Sequence, residues 1–183
     1  MTFSETPLSG AFLIGLERLT DERGFFARTW CQREFEMHDL EGRLVQCSIS
    51  FNTHAGTLRG LHYQAPPHEE VKLVRCTSGA IFDVIVDLRS DSPTFARHFA
   101  TVLSSSNGLA LYVPRGFAHG FQTLEDNTEV AYQMSEFYHP ESARGVRWND
   151  RAFGIPWPPT EHRIVTERDE AYQDFGPLDT PDR

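Results

Sequence analysis

Ile81-Phe82-Asp83-Val84-Ile85-Val86-Asp87-Leu88 reads as a β-strand, being short and rich in β-branched and aromatic side chains. Side chains alternate with period two along a strand, so Phe82, Val84, Val86 and Leu88 share one face. The other face mixes Ile81 and Ile85 with Asp83 and Asp87. A carboxylate among isoleucines is costly to bury without a partner. The Asp83 face is therefore expected to border a polar cavity, and a hollow barrel supplies one.

Outward from this strand the same habit continues. Between Gly24 and Tyr138, short β-branched and aromatic runs are punctuated by Gly, Pro, Asn and Ser, the pattern of an all-β sandwich or barrel. Further strands are expected at Gly24–Trp30, Leu44–Asn52, Thr57–Gln64, Lys72–Thr77, Phe95–Leu103, Ala110–Val113, His119–Leu124 and Glu129–Phe137, with that of the opening octapeptide spanning Ala80–Leu88. One helix is expected near Gln32–Leu40. After Tyr138, prolines at 140, 156, 158, 159 and 177 break regular structure, leaving room for a short helix at Glu167–Tyr172. Trp148, Phe153, Ile155 and Trp157 need an apolar surface to pack against, so this segment is expected to belong to the same domain. Residues from Leu178 onward are polar and expected to be mobile. A length of 183 residues suits one well-filled core, and residues 1–183 are read as a single domain.

Charge narrows the range of partners. With 26 acidic against 17 basic side chains the net charge is −9, which disfavours nucleic acid and anionic membrane surfaces. A phosphate-bearing ligand would need a local cluster of Arg and Lys. Cys31, Cys47 and Cys76 are odd in number and lack CxxC spacing, so neither a disulfide framework nor a zinc–thiolate site is indicated. The segment Met1–Glu17 offers only the short apolar run Ala11–Leu16. The expectation is a soluble, cytoplasmic protein.

Three segments carry groups suited to chemistry. In Gly56-Thr57-Leu58-Arg59-Gly60-Leu61-His62-Tyr63-Gln64, regular alternation places Arg59, Leu61 and Tyr63 opposite Leu58, Gly60, His62 and Gln64, apart from bulging at Gly60. In Glu69-Glu70-Val71-Lys72-Leu73-Val74-Arg75, Lys72 shares a face with Val74. In Val113-Pro114-Arg115-Gly116-Phe117-Ala118-His119-Gly120-Phe121, the Pro-x-Gly-x-x-His pattern is a tight turn that delivers a histidine to the start of a strand. A barrel would bring His62, Lys72, Asp83 and His119 onto one inner wall. Taken singly, each such group is more often a structural residue than a functional one; their number and alternation phase favour a site.

The runs Asp21-x-Arg23-Gly24-Phe25-Phe26, Leu58-Arg59-Gly60-Leu61-His62-Tyr63-Gln64, Lys72-Leu73-Val74-Arg75, Asp83 to Arg89, Pro114-x-Gly116-Phe117-Ala118-His119-Gly120-Phe121 and Gly145-Val146-Arg147-Trp148 closely resemble the dTDP-4-dehydrorhamnose 3,5-epimerase family. They occur in the family's order across roughly Asp21 to Asp169. The resemblance implies an all-β double-stranded β-helix, the cupin or jelly-roll barrel, with a few short helices. It also implies a homodimer exchanging N-terminal strands. The implied activity is epimerisation of a nucleotide-linked 4-keto-6-deoxyhexose at C3, C5 or both, with no metal or other cofactor. By the same resemblance, His62 matches the general base, Tyr132 the general acid, Asp169 the carboxylate that orients the base, and Lys72 the lysine facing the ketone. Asp83 and His119 match a second polar pair, while Arg23, Phe26, Gln46, Arg59 and Tyr138 match positions that hold nucleotide and sugar. Ser48 stands where family members often carry asparagine, which leaves the sugar recognised open, as it does the nucleotide.

Two other classes compete with this reading. A metal-dependent cupin enzyme would ligate through His62 and His119, but such barrels normally place a second histidine two residues after the first, where this chain has Gln64. His68 and Glu69 follow the Pro66-Pro67 turn and are poorly placed to aim inward. A catalytically silent sugar-nucleotide binder would keep arginines and aromatics without needing His62, Lys72, Tyr132 and Asp169 together. Within the epimerase reading, a mono-epimerase acting on a different keto sugar is the alternative.

Overall fold

The computed structural model describes residues 1–175; the tail from Leu178, expected to be mobile, lies outside them. In chain order the strands are β1 (Thr2–Glu5), β2 (Phe12–Gly15), β3 (Leu19–Asp21), β4 (Gly24–Phe26), β5 (Gln46–Asn52), β6 (Leu58–Gln64) and β7 (Lys72–Ser78). They continue as β8 (Ala80–Asp87), β9 (His98–Ser104), β10 (Ala110–Val113), β11 (Phe117–Thr123), β12 (Thr128–Met134) and β13 (Ala143–Gly145). Two short helices, α1 (Gln32–Glu36) and α2 (Glu167–Glu170), complete the elements.

One sheet has six strands in the order β1-β2-β10-β7-β12-β5, the other five in the order β13-β6-β11-β8-β9, and β3 with β4 forms a separate hairpin. The strands pair antiparallel. Between the two sheets, Val74, Cys76, Leu111, Val113 and Val130 of the first pack with Ile81, Ile85, Leu103, Phe117 and Phe121 of the second. Each fully buried side chain of this size contributes about 1.5–3 kcal/mol of hydrophobic stabilisation. The chain is thus an all-β, cupin-type double-stranded β-helix, as expected from sequence.

The octapeptide of β8 follows the predicted alternation, with both faces covered. Val84 and Val86 join Leu61, Ala118, Val146 and Phe153 on the outer face, and Phe82, Leu88, Ile155 and Trp157 pack against them. This is the surface that the post-138 segment needed. On the inner face Ile81 and Ile85 enter the apolar core, so this face is not uniformly polar; Asp83 and Asp87 are both fully buried and individually partnered. The outer face of the six-stranded sheet is closed by Phe35 of α1, which packs with Ile14, Leu73 and Tyr112.

Several expected boundaries shift. The Gly24–Trp30 strand is confined to Gly24–Phe26, and the Gln32–Leu40 helix to Gln32–Glu36. Strands β1, β2, β3 and β13 were not anticipated, because three or four residues carry too few alternations to register as a period.

Asp87, at the end of β8, accepts hydrogen bonds from Arg89 (Nη2, 2.8 Å), Ser92 (Oγ, 2.5 Å) and Thr94 (Oγ1, 2.7 Å). Burial opposes its ionisation, but these bonds prevail and bring its pKa down to about 2. A depressed carboxyl pKa gives stability that is full above the unfolded value, near ~4, and is lost as pH falls through the folded value. Asp87→Asn is therefore expected to lower the melting temperature at neutral pH. In calorimetry, the gap from wild type should narrow as pH falls from 4 towards 2; a gap that widened would contradict the assignment.

Candidate active site

Strand β6 lies between β11 and β13, and its register is broken once. His119 pairs with His62 and Phe121 with Arg59, so one residue of β11 spans what two residues span on β6. An extra residue of this kind is a β-bulge, and it reverses the alternation. Arg59 consequently joins His62 on the cavity side, whereas regular alternation had placed them on opposite faces. Gly60 makes the bulge possible: its φ is +126°, and a Cβ there would lie 2.6 Å from Gly120 Cα and 2.9 Å from the His119 carbonyl oxygen.

The C-terminal segment reaches the same strand from the other end. Leu58 N–H donates to the Ile164 carbonyl at 2.8 Å and Ile164 N–H to that of Gly56 at 3.0 Å. Thr166 caps α2 by accepting from Asp169 N–H. This places Asp169, 3 % exposed, beneath β6, where Oδ1 lies 2.7 Å from His62 Nε2 and Oδ2 accepts from Gly60 N–H at 3.1 Å. Burial raises the Asp169 pKa, yet the hydrogen bond and charge of His62, the Gly60 N–H and the charge of Arg168 leave it below the usual value. An ionised carboxylate can only accept, so His62 Nε2 carries the proton in this bond. In the neutral ring Nδ1 is then the basic nitrogen.

A second carboxylate–histidine pair lies deeper. His119 Nε2 is 2.7 Å from Asp83 Oδ1, with His119 3 % exposed and Asp83 fully buried. Burial raises the Asp83 pKa, opposed by His119 and by the charge of Lys72. Tyr132 on β12 packs edge-on to His119, ring centroids 5.8 Å apart. Burial, reinforced by the charge of Asp83 and opposed by Arg59, pushes the phenol pKa well above 10. It is held as a proton donor. Lys72, at the start of β7, donates to the His62 carbonyl at 3.2 Å and lies 3.1 Å from Glu70.

These groups meet at a cavity of about 330 Å³ between the sheets. Of the residues singled out from sequence, Gln46, Arg59, His62, Lys72, His119, Tyr132 and Tyr138 line it. Asp169 and Asp83 stand behind the two histidines. Arg23 and Phe26 do not line it: they sit on the exposed β3–β4 hairpin, where Arg23 pairs with Asp21 at 2.5 Å and Phe26 is 72 % exposed. Ser48 is exposed and also absent from the lining, although it pairs across strands with Tyr132; Ser50, one alternation further on, takes part. The sequence reading missed Arg144 and Arg168, which add positive charge beside Arg59, and Glu70. The signal for the arginines was the need of an acidic chain for local positive charge, with Arg168 adjacent to Asp169 in sequence.

Among the described residues, one cluster of three side chains has metal-ligand chemistry: His68, His139 and Glu141. The two imidazoles are stacked, 3.5 Å between centroids and 7° between planes, so a single ion cannot lie in the plane of both rings. It involves neither His62 nor His119, each of which faces a carboxylate.

Fold and cavity together define a cupin-type barrel equipped for proton transfer. The dTDP-4-dehydrorhamnose 3,5-epimerase family matches over residues 5–176. A dTDP-4-dehydrorhamnose 3,5-epimerase from Sinorhizobium fredii is 40% identical over 171 residues, covering 93% of this chain and 88% of its own. The crystal structure of such an epimerase from Elizabethkingia anophelis NUHP1 superposes with a TM-score of 0.92 at 40% identity, covering 96% of each chain. That from Bacillus anthracis str. Ames, with TDP and PPi bound, gives 0.91 at 40% identity, covering 94% of this chain and 98% of its own. The chain belongs to the dTDP-4-dehydrorhamnose 3,5-epimerase family.

Gly60→Ala is expected to destabilise the fold by about 2–4 kcal/mol, combining backbone strain with a clash against Gly120. For a chain of this size that is a fall of roughly 5–15 °C in melting temperature. An unchanged melting temperature would show that the bulge does not need glycine.

Proposed function

We propose that the protein inverts C3 and C5 of a TDP-linked 4-keto-6-deoxyhexose by acid–base chemistry through an enolate, with no metal or cofactor. The observation that carries this reading is the convergence of His62 and Tyr132, from opposing sheets, on one cavity. Inversion requires the proton to leave one face of the ring and return to the other.

His62 takes the proton from the carbon beside the ketone, and Asp169 stabilises the imidazolium that forms. The electron pair moves onto the ketone oxygen, where the Lys72 ammonium meets it; one well-placed donor of this kind is worth about 3–4 kcal/mol. Tyr132 delivers its phenolic proton to the opposite face, and solvent exchange restores both groups. The sequence repeats at the second carbon flanking the ketone. A pair of histidines each engaged with a carboxylate suits this better than metal ligation.

For the diphosphate, Arg59, Arg144 and Arg168 offer guanidinium forks around the cavity, and Tyr138 an aromatic surface. Arg23 and Phe26 act on the partner's site in a homodimer that exchanges the β3–β4 hairpin. This accounts for the exposure of Leu19 (70 %) and Phe26 on the hairpin, and of Ile49 and Phe51 on the edge strand β5. No helix among the described residues is long and apolar enough to cross a membrane. Cys31, Cys47 and Cys76 are free thiols, as suits a reducing compartment, and on that ground we assign the enzyme to the cytoplasm.

Proton NMR of the keto sugar in deuterated water tests the reading. Wild type should place deuterium at C3 and C5 with inversion; label at one carbon only would reassign it as a mono-epimerase. His62→Ala should lower exchange by about 10²–10⁴-fold. Tyr132→Phe should exchange faster than it inverts. Full epimerisation by the His62 variant would defeat the proposal.

A further inference from the structure

Among the described residues Glu70 is the one carboxylate whose side chain lines the cavity, beside Arg59, Lys72, Arg144 and Arg168. A negative charge there opposes an enolate unless a cation holds it. Glu70 Oε1 lies 3.1 Å from Lys72 Nζ, and both side chains are only 12 % exposed. As a contribution to stability such a pair is weak, because desolvating two charges offsets most of their attraction. Its place in the site suggests a different use.

An ammonium has three N–H donors. One from Lys72 goes to the His62 carbonyl at 3.2 Å, and Glu70 draws the ammonium by charge at 3.1 Å. The hydrogen bond and the ion pair together fix where the ammonium sits and leave N–H groups free for a ligand. A free lysine carries about 2 kcal/mol of rotamer entropy, which must otherwise be lost when the ketone oxygen becomes charged. Glu70 is itself steadied by Gln64, whose Nε2 lies 3.4 Å from Oε2 and donates to the carbonyls of His68 and Phe137 at 3.0 Å.

We propose that Glu70 is a positioning residue that holds the Lys72 ammonium, through their ion pair, with an N–H aimed at the ketone oxygen before the proton is removed. The inference rests on Lys72 facing the ketone, as proposed above. It addresses the transition state rather than substrate binding, since the oxygen gains its charge only as the enolate forms.

Steady-state kinetics on Glu70 and Lys72 variants separate the two claims. Glu70→Ala should lower kcat by roughly 10–100-fold with KM within about threefold, the signature of an interaction lost only in the transition state. Glu70→Met fills a similar volume without an acceptor and should match the alanine variant, which guards against a mere packing defect. Glu70→Gln keeps an oxygen for Lys72 and should recover to within about fivefold of wild type. Lys72→Ala should lose about 10²–10³-fold, and adding Glu70→Ala to it should cost nothing more. Glu70→Met at wild-type kcat, Met and Gln variants behaving alike, or losses that multiply in the double variant would each overturn the positioning role. Lys72→Ala at wild-type rate would overturn the reading beneath it.

Discussion

An imidazole nitrogen and a carboxylate oxygen 2.7 Å apart, on residues 107 positions apart in sequence, join the end of the chain to the middle of the barrel. Asp169 is almost fully buried, and a buried carboxylate is tolerated only where donors satisfy it. Its two oxygens find them in the His62 ring and the Gly60 N–H, on either side of the bulge in β6. The bulge, the capped turn of α2 and the orientation of the His62 ring therefore depend on one another. Tyr172 adds to this arrangement: it packs onto Gly145, the cross-strand neighbour of His62, where any Cβ would lie 2.3 Å from its ring. The C-terminal segment is thereby part of the site.

Two carboxylates divide the electrostatic work. Asp169, ionised and hydrogen-bonded, fixes the tautomer and orientation of the His62 ring. Burial of the phenol, with the charge of Asp83 behind His119 adding to it, opposes loss of the proton from Tyr132. In the proposed mechanism the base and the acid stand on strands of opposing sheets around one cavity. The role proposed for Lys72, stabilising charge on the ketone oxygen, is one that neither of them fills.

Much of this was legible in the chain itself. The alternation of Ile81 to Leu88 identified the strand and its faces, and the Pro-x-Gly-x-x-His turn put His119 inside the barrel, because both depend on local periodicity and turn chemistry. Regular alternation puts Arg59 opposite His62, and the bulging expected at Gly60 is what reverses this; its effect on Arg59 became definite only in the fold, because the bulge forms where Gly60 meets Gly120 across the sheet. Glu70 and Arg168 were overlooked because each looks like an ordinary surface charge until Lys72 and Asp169 are placed beside it. The short N-terminal strands were missed for want of residues: β2 is placed by pairing with β10 and β1 by pairing with β2, neither by a pattern of its own. The family resemblance supplied roles that spacing alone could not give.

In the proposed complex one hexose ring lies between an imidazole and a phenol, and a crystal structure of the protein with a TDP-linked 6-deoxyhexose bound checks that placement. The His62 ring and the Tyr132 hydroxyl should lie on opposite faces of the sugar, each within about 3–3.5 Å of a carbon flanking C4, with Lys72 nearest the C4 oxygen. Both groups on the same face, or a sugar seated away from either, would contradict it.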